Sequence, residues 1–150
     1  MYTFTVRADI YASPARVWRA LCDPAEVVQW DSDVEQALDA PADYPQPGQH
    51  VRWRYRSGPF RILHDRPQEV KPMRKLRSEL SLGPLKFSET YALEQWNGAC
   101  RLTTTMAVWA LLPLVGAIVE RLYVGPQSRR TAEASLQAIK AHCEKDDPDP

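Results

Sequence analysis

Glu89 stands in the run Phe87-Ser88-Glu89-Thr90-Tyr91-Ala92-Leu93. Strict alternation there argues a strand with one buried face, and Glu89 shares its face with Phe87, Tyr91 and Leu93. An inward carboxyl needs a partner or a raised pKa. It is then either a proton acceptor or ligand-orienting group, or a strand-end carboxylate paired with an arginine. His64 shares parity with Phe60 and Ile62 in "FRILHD". Imidazole titrates near neutrality, so His64 is a candidate acid or base beside Glu89, against the plainer reading of a half-exposed strand histidine. Tyr91 completes the candidates for chemistry. Trp53 and Tyr55 alternate with Arg52, Arg54 and Arg56 in "HVRWRYRS". Binding of nucleic acid would need aromatics and cations on one face, and alternation puts them on opposite faces, so nucleic acid is not an expected partner. Trp53 and Tyr55 instead read as core or as ligand contacts with polar handles. On the following run Leu102, Thr104, Met106 and Val108 share a face taken as inward, with Thr104 the one polar member, which packing alone would also explain.

These side chains must be held by strands. Tyr2 to Tyr11 alternates and reads as the first strand. Ser13-Pro14 caps a short helix with Val17, Trp18 and Leu21 on one side, and Asp23-Pro24 caps a second that leads to Trp30. A strand near Val34–Leu38 precedes the proline-bearing loop "DAPADYPQPG". Strand patterns then crowd together: 51–56, then 60–70 with Pro67 at an edge or bulge, then Leu76, Leu80 and Leu82 against Arg77, Glu79 and Ser81. Asn97-Gly98 between alternating runs is a strong hairpin signal. "MAVWALLPLVGAIV", residues 106–119, carries no charge. At about 14 residues with a proline inside it is too short to span a membrane, so it splits into a strand end, a corner at "ALLP" and a helix start at Pro113 or Leu114. Two apolar sets follow: Val115, Ile118, Val119 and Leu122, then Ala132, Leu136, Ile139 and Cys143. Ile118 and Leu122 are expected to face the sheet as ligand contacts. Gly125-Pro126 should kink or break the helix between the sets.

The chain has 150 residues, 19 Lys and Arg and 19 Asp and Glu, so no net field draws it to nucleic acid or anionic lipid. Charge is uneven along it. Between Cys22 and Gly48 lie seven acids and no Lys or Arg; between Gln49 and Glu79 lie nine bases and three acids. Complementary solvated faces are the plain account. Cys22, Cys100 and Cys143 are scattered, as are the three histidines, so neither a zinc site nor a disulfide framework is indicated. No phosphate loop is present, so no metal, nucleotide or flavin cofactor is expected. The N-terminus lacks a signal-peptide pattern, and reduced thiols point to the cytoplasm. One domain over 1–144 is expected, with residues 145–150 an acidic, frayed tail.

"IYASPARVWRALCDPAEVVQWD" resembles the opening of the START-like, Bet v 1-like superfamily (SRPBCC), whose branches include polyketide cyclase/dehydrase-like and lipid-transfer proteins. The resemblance rests on the strand leading into Ala12-Ser13-Pro14, on Val17-Trp18, on Asp23-Pro24 and on Trp30. "NGACRLTTTM" resembles the family's Gly-Thr-Arg hairpin, with Ala99-Cys100 where one Thr is usual. The resemblance implies an α+β helix-grip fold: a curved antiparallel sheet of about seven strands around a long C-terminal helix, with two short helices between strands 1 and 2. It also implies a cavity between sheet and helix for a hydrophobic guest, with Trp30 closing one end or serving structure alone. Fold does not dictate function. Three readings follow. The first is a carrier or sensor of a lipid or polyketide, lined by Trp53, Tyr55, Phe87, Glu89, Tyr91, Thr104 and Met106. The second is a cyclase/dehydrase-like enzyme using Glu89, His64 or Tyr91. The third is a co-chaperone-like interaction module. A homodimer is left open.

Overall fold

The computed structural model describes residues 1–145. Seven strands form one antiparallel sheet in the order β1-β7-β6-β5-β4-β3-β2. They are β1 (Tyr2–Ile10), β2 (Val34–Ala37), β3 (Val51–Tyr55), β4 (Ile62–Lys71), β5 (Lys75–Leu82), β6 (Leu85–Trp96) and β7 (Ala99–Ala110). The helices α1 (Pro14–Cys22) and α2 (Pro24–Trp30) lie between β1 and β2. Helical structure then runs from Gly116 to Lys145 as α3 (Gly116–Val119), a π-helical turn (Glu120–Val124) and α4 (Gly125–Lys145). This is the helix-grip α+β architecture.

Local chemistry accounts for most boundaries. The Ser13 hydroxyl accepts from the Arg16 N–H, Asp23 Oδ1 accepts from the Ala25 N–H, and each cap is followed by a proline that needs no N–H partner. Asn97 (φ 47°) and Gly98 (φ 81°) both take left-handed backbone, as a tight hairpin joining β6 and β7 demands. Pro67 sits at a register shift between β4 and β5, so it occupies a bulge inside the sheet and not an edge. Glu26 binds α1 to the C-terminal helix: it accepts from Arg16 at 2.7 Å and Arg19 at 2.9 Å, and His142 Nε2 lies 2.9 Å away.

The C-terminal helix departs from expectation at its start. Strand β7 ends at Ala110, and the helix begins at Gly116, two or more residues later than Pro113 or Leu114. Gly125-Pro126 does not break it. The π turn just before opens the hydrogen-bond ladder, with the Gly125 N–H reaching back to the Glu120 carbonyl, so Pro126 is admitted without ending the helix. Gly125 serves close packing, because a Cβ there would overlap the Tyr2 ring. The same turn takes an extra residue and puts the apolar stripe out of step. Ala132, Leu136, Ile139 and Cys143 are buried as expected, but Ile118 is 58% and Leu122 is 60% exposed. Those two do not face the sheet. In their place Glu120 turns inward and accepts from the Ala110 N–H at 2.7 Å and from the Met1 amino group at 2.6 Å. Lys145 ends α4, and the rest of the acidic tail, 146–150, lies outside the described residues.

No helix among the described residues is long and apolar enough to cross a membrane. The hydrophobic core is continuous from β1, α1 and β7 to the C-terminal half of α4, where Ile10, Val17, Cys100, Ile139 and Cys143 have no exposed surface.

Candidate functional site

Beyond that core the interior is hollow. A cavity of about 300 Å³ lies between β3–β7, the end of α2 and the start of α4. Leu63, Leu76, Leu80, Leu82, Leu85 and Phe87 give it an apolar wall, and Trp30, Trp53, Tyr44, Tyr55 and Tyr91 add aromatic surface. Gln127, Ser128, Thr131 and Ser135 contribute the helix side. A second hollow of about 290 Å³ shares Trp30, Asp31, Asp33, Gln127, Thr131 and Ser135 with it.

The β6 face is as the alternation requires. Phe87, Glu89 and Tyr91 all line the cavity, opposite Leu80, Ser78 and Leu76 of β5 and Val108, Met106 and Thr104 of β7. Trp30, Trp53, Tyr55, Thr104 and Met106 also line it. Burial pushes the Glu89 carboxyl up to about 8; the charges of Asp65 and Asp31 add to the rise, and a hydrogen bond from the Tyr91 hydroxyl opposes it. Desolvation and the Glu89 charge likewise hold the Tyr91 phenol well above its ordinary value. The Trp30 Nε1–H donates to the Ala20 carbonyl at 2.8 Å, which fixes that indole at one end of the hollow.

His64 is elsewhere. On β4 the inward residues are Leu63, Asp65 and Pro67, and His64 pairs in register with the outward Arg52. Its Nδ1 lies 2.8 Å from His50 Nε2 on the outer surface, and desolvation together with the charges of His50, Arg66 and Arg52 lowers its pKa. It cannot act beside Glu89 from there. Ile118 and Leu122, exposed at the helix start, are likewise not part of the cavity wall.

The residue that takes the inward place is Asp65, 4% exposed. Its Oδ2 accepts from the Tyr44 hydroxyl at 2.6 Å and the Trp53 Nε1–H at 3.1 Å. The two donor rings meet edge to face at 70° with centroids 5.9 Å apart. Ser78 of β5 adds a further hydrogen bond to the carboxyl. Burial raises the Asp65 pKa, and the hydrogen bonds from Tyr44, Trp53 and Ser78 pull against that rise. Asp31, just after α2, is pushed to about 6 by burial and by the Asp33 charge. Thr104 Oγ1 is a buried atom without a partner among the described residues. Sequence reasoning passed over Asp65, Asp31 and Tyr44. Asp65 stands two residues before Pro67 and two after Leu63, but "FRILHD" carries no alternation that sets their face. No group of three or more His, Cys, Asp or Glu side chains among the described residues is disposed to hold a metal ion.

Similar solved structures share the fold over nearly the whole chain. Protein CV1439 of Chromobacterium violaceum is 19% identical, with a TM-score of 0.75 and 99% of each chain covered. TTHA0849 of Thermus thermophilus is 15% identical, with a TM-score of 0.70, covering 94% of this chain and 96% of that one. DynU16, a protein of the dynemicin biosynthetic locus, is 19% identical, with a TM-score of 0.63; the match covers 93% of this chain and 47% of DynU16. None of the curated proteins matches the chain. At these identities the likeness speaks for the fold alone. Residues 1–144, however, match the profile of one family over the whole helix-grip unit, and the chain belongs to that family, described as polyketide cyclase / dehydrase and lipid transport.

Proposed function

We propose that the protein binds a small hydrophobic molecule in the cavity under α4, as a carrier or sensor. The observation that carries this reading is the hollow itself: about 300 Å³ with a leucine, phenylalanine and tyrosine wall, in a chain whose other half is tightly packed. That volume is at the lower end of small-molecule sites, and an apolar wall with a few polar groups is their usual composition. The family description, which includes lipid transport, supports the same reading. The test is native mass spectrometry of freshly purified protein before and after organic extraction. A mass increment lost on extraction is the expected result. A protein of bare chain mass that takes up no hydrophobic probe overturns the reading.

One observation favours a second reading, a cyclase/dehydrase-like enzyme. Glu89 and Tyr91 lie together on the cavity wall, and a carboxyl near 8 is matched to removing a proton from a carbon beside a carbonyl at neutral pH. Tyr91 then donates to the enolate oxygen that forms. Glu89→Gln would abolish turnover while guest binding persists, whereas turnover unchanged in that variant would end this reading. His64 has no place in it. The interaction-module reading gains no support from a hollow interior.

A further inference from the structure

We propose that the guest is an organic cation, a protonated or quaternary amine on an apolar body that fits a cavity of about 300 Å³. The inference rests on the cavity being the binding site and adds the charge of what it holds.

Four carboxyl groups reach the cavity wall, from separate segments: Asp31 and Asp33 after α2, Asp65 on β4 and Glu89 on β6. Among the described residues no Lys, Arg or His lines it. The elements packed around Glu89 bring no base to it. β5 presents Ser78 and β7 presents Met106 and Thr104; β3 presents Trp53 and Tyr55; the loop before β3 presents Tyr44. The start of α4 presents Gln127, Ser128, Thr131 and Ser135. Arg130 lines the outer hollow but not the cavity. The basic residues of β3 point the other way, and Arg52 is held there by Asp39 at 2.7 Å. Thus no side chain of the cavity wall can neutralise its acids.

A buried acid cluster alone would not indicate a ligand, but Thr104 adds an independent mark. It is 2% exposed, lines the cavity, and its Oγ1 has no hydrogen-bond partner among the described residues. A buried hydroxyl without a partner is costly unless a guest supplies one. The carboxyls are not grouped as metal ligands. What surrounds them is aromatic: Trp30, Trp53, Tyr44, Tyr55 and Tyr91. Aromatic faces beside carboxylates in an apolar hollow suit an alkylammonium, whose charge is attracted to ring and carboxylate while its chain takes the leucine wall. A carboxylate guest would find no cation among the described wall residues to pair with. The raised values of Glu89 and Asp31, about 8 and about 6, fit an empty site that keeps its acids protonated until a cation arrives.

The test uses three probes of one chain length: decyltrimethylammonium, 1-decanol and decanoate, each titrated calorimetrically into the extracted protein. The quaternary probe keeps its charge at every pH, so any pH dependence belongs to the protein. Expected is binding of the ammonium about tenfold or more tighter than decanol, with decanoate weakest. Ammonium binding should tighten between pH 6 and pH 8 and release protons, seen as a dependence of the heat on buffer. Asp65→Asn should weaken the ammonium about tenfold and leave decanol unchanged. Since Asp65 also holds Tyr44 and Trp53, Glu89→Gln is the second variant, expected to abolish the proton release. Decanol or decanoate binding as tightly as the ammonium would overturn the inference and leave the cavity reading standing. Binding of none of the three, with no co-purifying mass, would overturn both.

Discussion

The two halves of the interior are built on the same sheet and filled by opposite rules. Under α1 and the C-terminal half of α4, aliphatic side chains from β1, β7 and α4 interdigitate, with Ile10, Val17, Leu102 and Ile139 fully covered. Under the start of α4, leucines and aromatics of β3–β6 stand back from the helix and enclose about 300 Å³ together with four carboxyl groups. The helix explains the difference. Its C-terminal half offers Leu136, Ile139 and Cys143 at helical spacing to the sheet, whereas its first turns offer Gln127, Ser128, Thr131, Ala132 and Ser135 to the hollow. Apolar knobs close one half, and short polar side chains leave the other open.

The largest expected effect tests that contrast with one chemistry at two sites. Leu136, 2% exposed, sits among close-packed neighbours, so Leu136→Ala should cost about 3–4 kcal/mol in urea unfolding. Leu82 already borders empty space, so Leu82→Ala should cost about 1 kcal/mol or less, because few contacts are lost. Equal losses at the two positions would mean that the hollow half is packed in solution.

The contrast was partly legible in the sequence. The β6 and β7 faces followed from uninterrupted alternation, and the packed stripe of α4 from its helical spacing, because in both cases one period ran long enough to fix a face. Three features were not legible. "FRIL" supplies consecutive apolar and charged residues with no alternation, so the face of His64 and Asp65 was decided by pairing with β3, where Trp53 meets Leu63 and Arg52 meets His64. Tyr44 enters the cavity from a loop, where no periodicity exists to place it. The π turn resets the helical phase between Leu122 and Ala132, a shift that a 3.6-residue reading cannot anticipate.

A second prediction separates the halves by pH. Among the described residues, only the hollow half holds carboxyls whose pKa is raised. A carboxyl at about 8 in the folded chain, against 4.5 unfolded, keeps a proton that the unfolded chain has released. Its stabilising contribution is therefore full below about pH 4.5 and falls as pH rises towards 8. Asp31 adds a smaller fall, complete near pH 6. The unliganded protein should lose about 2 kcal/mol from this source between pH 5 and pH 8, a figure discounted for water in the cavity. Glu89→Gln should flatten most of that slope, and an unchanged slope in the variant would place the titrating group elsewhere. Changes in the packed half, Leu136→Ala among them, should shift the whole curve and leave its slope alone.

A smaller effect lies at the border between halves. Thr104 is 2% exposed and its hydroxyl has no partner among the described residues. Thr104→Val exchanges that hydroxyl for a methyl group of similar shape, and should stabilise the empty protein by about 0.5–1 kcal/mol. A loss of stability would show that the hydroxyl is satisfied in solution, by a water or a guest.

The smallest effect belongs to the outside of the same strand that carries Asp65. His64 faces away from the cavity and contacts His50, and its lowered pKa comes from burial and from its electrostatic interaction with His50, Arg66 and Arg52. A histidine whose pKa falls on folding opposes folding as pH drops through the ordinary value of 6.5, because the unfolded chain then binds the proton more readily. His64→Ala should therefore be neutral within about 0.5 kcal/mol at pH 8 and slightly favourable below pH 6.5. The slope that His64 itself causes is opposite in sign to the Glu89 slope, so one thermal series across pH distinguishes the outer face of the sheet from the cavity face. Guest binding and the titration of Glu89 should not change in His64→Ala. If either did, the sheet would be transmitting outer charge to the cavity, and the division of β4 into an outer basic face and an inner acidic one would not hold.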